Sequence, residues 1–109
     1  MLPLIEIRQF VDTAGQSPFE QWFGRLDDVA AARVTTSLTR LSTGNWSNVK
    51  GVGAGVFEIK IEFGPGYRVY FGKDGETIVI VLGGGAKKRQ SLDIEAAKDH
   101  WKRYKKRKA

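Results

Sequence analysis

The stretch FEIKIEFGPGYRVYFG, Phe57 to Gly72, constrains the fold of this chain more than any other. It holds two alternating runs separated by Gly-Pro-Gly, the pattern of a β-hairpin. Phe57, Ile59, Ile61 and Phe63 fall on one face of the first strand, and Tyr67, Val69 and Phe71 repeat the pattern on the second. The complementary positions carry Lys60, Glu62, Arg68 and Tyr70. Side chains alternate with period two, so a slip of one residue at Gly64-Pro65-Gly66 would reverse the faces of a strand. One face of this hairpin is therefore core. The other interleaves cations with an aromatic ring, which is unusual for a surface that only meets water.

The flanking segments supply the rest of a small α+β domain. LPLIEIRQF (residues 2–10) reads as a first strand with imperfect alternation, consistent with an edge. SPFEQWFGRL opens a helix: Ser17 is a good N-cap, Pro18 suits the first helical position, and Glu20 completes a Ser-x-x-Glu box. Its apolar stripe is Phe19, Trp22, Phe23 and Leu26. Asp27-Asp28 breaks that helix and caps a second, where Val34, Leu38 and Leu41 recur at helical spacing before Gly44 ends it. GNWSNVKGVGAGV reads as a glycine-rich connection to the hairpin. Asp74-Gly75 is a turn, and TIVIVLGGG is an apolar strand buried on both faces. SLDIEAAKDHWKRYKKRKA is a last helix with Ser91 as N-cap and a narrow stripe of Ile94, Ala97, Trp101 and Tyr104. The expected order is β-α-α-β-β-β-α, a helical hairpin packed on a four-stranded, mostly antiparallel sheet, forming one domain over residues 1–109.

Composition narrows the chemistry. The 109 residues are 41% hydrophobic and 11% aromatic, enough for one core. No cysteine is present, so disulfide and thiolate-metal frameworks are excluded. No apolar run approaches the ~20 residues that span a bilayer. Met1 to Phe10 carries Glu6 and Arg8 and lacks the apolar core of a signal peptide, so a cytoplasmic protein without membrane contact is expected. The net charge of +6 is local: Lys98–Ala109 holds seven basic residues and one acid, whereas the first 97 residues hold eleven of each. Such a segment suits a polyanion or an acidic partner, and equally a solvated helix end whose cations favour the macrodipole.

Most chemical motifs fail on inspection. GVGAG (51–55) has no helix after it, and GGGAKK (83–88) lacks the first glycine and the Ser/Thr of a phosphate-binding loop. His100 is the one histidine, so no zinc cluster and no activated serine are expected, and no cofactor is called for. Glu58 and Glu62, with Lys60 between them, read as ion-pair partners across a strand face. The cations remain. Lys60 and Arg68 share a face on adjacent strands with Tyr70, and Lys87, Lys88, Arg89 and Gln90 follow the last strand. Cations grip phosphate and a ring offers a base a stacking surface, so an RNA site over the open side of the sheet is expected. Solvated cross-strand pairs are the alternative.

The element order, the Glu-x-Lys strand at Glu58 and Lys60, the GPGYRVYF segment (64–71) and the apolar strand ending in GGAKK (84–88) resemble the RelE/ParE toxin superfamily. The resemblance is to its branch of addiction-module killer proteins, or HigB-like toxins, and covers nearly the whole chain. It implies the toxin of a bacterial type II toxin–antitoxin system, a metal-independent endoribonuclease that cuts mRNA on the ribosome and inhibits translation. By that resemblance Arg68 is the central catalytic arginine and Lys60 its basic neighbour, with Tyr70 able to stack a base or donate a proton. Lys87, Lys88, Arg89 and Gln90 become RNA-binding. The implied partners are mRNA, the ribosome and a cognate helix-turn-helix antitoxin through which operator DNA is bound. The superfamily also contains ParE-like DNA gyrase inhibitors without nuclease activity, and a noncatalytic role inside an antitoxin complex is the third reading.

Overall fold

A computed structural model describes residues 4–108. Residues 2 and 3 of the expected first strand and residue 109 of the expected last helix lie outside the described residues. The elements are β1 (Glu6–Gln9), α1 (Pro18–Phe23), α2 (Asp28–Ser42), β2 (Val49–Gly53), β3 (Val56–Ile61), β4 (Tyr67–Asp74), β5 (Ile78–Ala86), a single 3₁₀ turn (Lys87–Arg89) and α3 (Gln90–Lys108). The sheet has five strands in the order β1-β5-β4-β3-β2. It is mixed: β1 runs parallel to β5, and every other pair is antiparallel. The expected four strands become five because Val49–Gly53, read as connection, pairs with β3. Its glycines hide the strand pattern, and a register shift between Gly51 and Gly53 interrupts the ladder.

Local chemistry explains the helix ends. The Ser17 hydroxyl accepts from the Glu20 amide at 3.1 Å, with Pro18 at the first helical position. The expected reciprocal bond of Glu20 is replaced: its carboxylate accepts from Gln9 Nε2 at 2.6 Å, tying α1 to the end of β1. Asp27 caps α2 through the Ala30 amide at 2.8 Å. Gly44, at φ 92°, ends α2 in the left-handed conformation that glycine adopts without strain. Ser91 lies inside α3 rather than at its start, because the 3₁₀ turn leads directly into the helix at Gln90.

The hairpin register is the expected one. Lys60 lies opposite Arg68 and Glu58 opposite Tyr70. Ile59, Ile61, Val69 and Phe71 join Val79 and Val81 of β5 in a core closed by Phe19, Trp22, Val34 and Leu41 from α1 and α2. The opposite face is not open as expected. There α3 packs Ala97 and Trp101 on Val56, Tyr70, Ile80, Leu82 and Phe10. The molecule has three layers, with α1 and α2 on one side of the sheet and α3 on the other.

Two glycines set the spacing of those layers. A Cβ on Gly84 would lie 2.4 Å from the Trp22 ring, and one on Gly72 would lie 2.5 Å from the Trp101 ring. Both indoles therefore rest directly on strand backbone. Alanine at either position is predicted to cost ~1–3 kcal/mol through overpacking. The check is urea denaturation of Gly84→Ala and Gly72→Ala, each also combined with leucine at its tryptophan. The double variants should lose less than the sum of the single losses. Strict additivity would show that the rings do not depend on the missing Cβ atoms.

Candidate functional site

The site begins at the hairpin turn. Gly64 and Gly66 take φ 56° and 78°, and the Gly66 carbonyl accepts from the Lys87 amide at 2.6 Å. That bond ties the turn to the 3₁₀ segment, so Lys87, Lys88 and Arg89 stand at the same end of the sheet as Lys60 and Arg68. A Cβ on Gly66 would lie 3.5 Å from both Arg68 Nη1 and Lys87 Cβ, so these two side chains flank the glycine. Lys60 is exposed and pairs with Glu62 at 3.0 Å. Lys87, Lys88 and Arg89 are also exposed.

Arg68 is different, being only 6% exposed. Its Nε lies 3.1 Å from Glu58 Oε1, and Nη1 donates to the Tyr67 carbonyl at 3.4 Å. Glu58 is 1% exposed. Gln90, at the start of α3, donates to Glu58 Oε1 at 2.7 Å, and Lys50 Nζ lies 3.4 Å from Oε2. Neither Arg68 Nε nor Glu58 Oε2 has a hydrogen bond of good geometry. The pair is thus held by charge at short range more than by aligned donors. A low-dielectric setting strengthens that attraction and also raises the cost of losing either partner.

Tyr70 lies beneath α3 at 1% exposure, so its ring presents no free face for stacking in this arrangement. Its hydroxyl has no hydrogen-bond partner, and burial, reinforced by the Glu58 charge, raises its pKa far above the usual phenol value. Asp93 sits over Gly85, where a Cβ would be 1.9 Å from Oδ2. That oxygen is also unpartnered, and burial raises the Asp93 pKa against the opposing effect of Arg89. His100 and Tyr104 are remote: at ~1.5 Å of rise per residue they lie roughly 15–20 Å along α3 from Gln90. His100 stacks on Phe10 at 5.0 Å between centroids, and burial lowers its pKa. Tyr104 donates to Asp74 Oδ2 at 2.5 Å.

The structure therefore brings Arg68, Lys60, Lys87 and Gln90 together and places Lys88 and Arg89 on the exposed 3₁₀ turn beside them. Gln90 touches Glu58. The sequence reading missed Glu58 as the partner of Arg68 and paired it with Lys60 instead. The signal was present: with Lys60 opposite Arg68, Glu58 is the diagonal neighbour of Arg68, within reach of a long side chain. Arg68 Nη1 and Lys87 thus flank Gly66, and Lys60 lies opposite Arg68 on the neighbouring strand, so several cations meet at one end of the sheet.

Two stability effects follow. On the open face expected from the sequence, Arg68→Ala would cost little. With the pair buried, it should cost ~3–5 kcal/mol by stranding Glu58. Arg68→Met combined with Glu58→Leu should recover most of that loss in urea melts, and a cheap Arg68→Ala would show the pair to be solvated. The second effect depends on pH. The raised Asp93 pKa means that the folded state holds this proton more tightly than the unfolded chain does. Its stabilising effect is full below about pH 4 and is lost as pH rises through the folded pKa. Asp93→Asn should thus gain stability over the parent near neutral pH, with the gap closing in acid. A gap that instead widened in acid would reverse the sign.

Residues 21–106 match the family described as "Phage derived protein Gp49-like". An "Uncharacterized protein" of Haemophilus influenzae (strain ATCC 51907 / DSM 11121 / KW20 / Rd) is 40% identical over 81 residues, covering 73% of this chain and 82% of that protein. The matched span holds β2 to β5, most of α3, and all the residues of the Arg68 cluster. The chain belongs to the Gp49-like family of phage-derived proteins, a toxin-like family related to RelE/ParE-type addiction modules.

Proposed function

We propose that this protein is the toxin of a type II toxin–antitoxin pair, of the addiction-module killer or HigB-like kind, and that it cleaves mRNA on the ribosome without a metal. The observation that carries the reading is the placing of Arg68 and Lys87 beside Gly66 with Lys60 opposite Arg68 on the next strand, in a chain of a toxin-like family. In the proposed reaction a ribose 2′-oxygen attacks the adjacent phosphorus and the bond to the 5′-oxygen breaks. The products are a 2′,3′-cyclic phosphate and a 5′-hydroxyl. The 2′-proton leaves to a base and the 5′-oxygen gains a proton, so no oxidant or metal is consumed.

The contribution of this chain is electrostatic. Arg68 meets the phosphate through its Nη end, where Nη1 stands beside Gly66, while Glu58 restrains the guanidinium from the Nε side. Lys87, beside Gly66, and Lys60, opposite Arg68, supply further charge. Tyr70 keeps its proton throughout the physiological range and reaches RNA in this scheme only after α3 shifts. The chain has no cysteine, and its one histidine, His100, lies far along α3 from Arg68, so the side chain types best suited to proton exchange near neutral pH are missing from the cluster. Positioning by the ribosome then carries much of the rate, and the isolated protein is a poor nuclease. Lys88 and Arg89 extend the RNA-binding surface. The same reading places the protein in the cytoplasm with a cognate antitoxin, a helix-turn-helix protein that holds operator DNA for the complex. No helix among the described residues is long and apolar enough to cross a membrane.

The test uses variants that keep the fold. Lys60→Ala and Lys87→Ala remove exposed side chains and should melt like the parent. Arg68→Lys keeps a cation beside Glu58 but loses the planar fork. Losing one donor to a developing anion typically costs about 10²–10³ in rate, so Arg68→Lys should sharply reduce cleavage of translated mRNA, with the two lysine variants intermediate. RNA 5′ ends mapped after brief expression, alongside growth, provide the readout. Growth arrest with intact mRNA and damaged DNA would overturn the nuclease and leave the gyrase reading.

A further inference from the structure

Far from Arg68, the loop after β1 runs under the last turns of α3. Phe10, Asp12 and Thr13 on one side and Arg103, Lys106 and Arg107 on the other enclose a cleft of about 220 Å³ with mostly apolar walls. Small-molecule pockets generally begin near 300 Å³, so this one accommodates a side chain or two rather than a cofactor. Phe10 forms its floor at 1% exposure, with His100 stacked on the ring and the Arg107 guanidinium 4.8 Å from its centroid. Val11, beside the cleft in the chain, is 42% exposed.

Three cations thus rim an apolar cleft. Asp12, the carboxylate among the lining residues, is occupied by the Ala14 and Gln16 amides at 2.9 and 3.0 Å. Arg103 pairs with Asp99 at 2.8 Å on the helix surface, and Lys106 has no ion pair among the described residues. Cations in a last helical turn would suit the macrodipole without any partner. The macrodipole does not account for an apolar cleft between them. A nucleic acid would find cations here but no aromatic face, because Phe10 is buried, with His100 and Arg107 packed against its ring. An aliphatic anchor would find the walls it needs.

We propose that this cleft docks an acidic, apolar-anchored peptide segment of a partner protein. One apolar side chain enters beside Phe10, and flanking carboxylates pair with Lys106 and Arg107 and compete with Asp99 for Arg103. At ~1.5 Å per residue, the cleft lies roughly 20–25 Å along α3 from Gln90. Docking there does not depend on any chemistry at Arg68.

The experiment measures fluorescence anisotropy of the full chain with four labelled probes. These are a short Glu/Leu peptide, the same peptide with Leu replaced by Ser, the same with Glu replaced by Lys, and a single-stranded RNA of similar length. The Glu/Leu peptide should bind, weaken as salt rises, and lose about tenfold or more when its leucines are removed. Lys106→Glu should weaken it by a similar factor, whereas Arg40→Glu on α2 should not. Thr13→Trp, which fills the cleft without changing charge, should also abolish binding while the thermal melt stays unchanged. Amide shifts on titration should centre on residues 10–13 and the end of α3. Equal binding of the serine peptide would reduce the surface to a bare charge patch and overturn the proposal. So would tighter RNA binding at the same residues, no binding at all, or an unchanged affinity in Thr13→Trp.

Discussion

Each face of the sheet is closed by an indole lying flat on a strand glycine, and the rest of the molecule is arranged around those two contacts. Trp22 rests on Gly84 of β5, and Trp101 rests on Gly72 of β4. Without a Cβ in the way, a helix can approach a strand closely enough for a large ring to cover several neighbours at once. The Trp22 contact brings α1 over the face that holds Val69 and Phe71. The Trp101 contact brings α3 over Tyr70 and Ile80. Once α3 is seated, its first residues have little choice. Gln90 falls beside Glu58 and Asp93 falls over Gly85. The polar environment of Arg68 is therefore a result of packing some distance away along the same helix.

That environment lets one arginine be a structural partner and, in the proposed function, also the group that meets a phosphate. A guanidinium carries donors on more than one edge. Glu58 stands against the Nε edge, and the Nη end is turned toward the Gly66 turn and Lys87. A buried carboxylate usually adds little net stability to such a pair, because desolvation offsets most of the attraction. What it does provide is a fixed direction. The exposed lysines nearby are mobile point charges by comparison, and they bring anions close without orienting them.

Much of this was legible in the sequence, for identifiable reasons. Alternation from Phe57 to Phe71 gave the hairpin faces, because period-two patterns are unambiguous when one face is wholly apolar. Ser17 and Asp27 were readable as caps because a side-chain oxygen before a helix has few other uses. β2 was not legible: Gly51 and Gly53 carry no side chain to show alternation, and pairing with β3 is what makes the segment a strand. The parallel partner of β1 is a long-range choice with no local signature. In the site, the cross-strand neighbours Lys60 and Arg68 followed from the register. The burial of Arg68 and Tyr70 did not, because it depends on where α3 lands. The stripe Ile94, Ala97, Trp101 and Tyr104 says that α3 docks, but not on which face. The flat places left by Gly72 and Gly85 are the clue that a helix comes down there.

The parallel pairing of β1 with β5 bears on how the chain is made. Glu6 finds its neighbour at Ile78 and Gln9 at Val81, so β1 leaves a ribosome well before its partner and stays unpaired until β5, the last of the described strands, has emerged. The α3 layer that seats Gln90 against Glu58 comes later still. No nascent chain that still lacks α3 can assemble the cluster around Arg68. The topology acts as a timer: it ties the appearance of the finished cationic site to the emergence of α3.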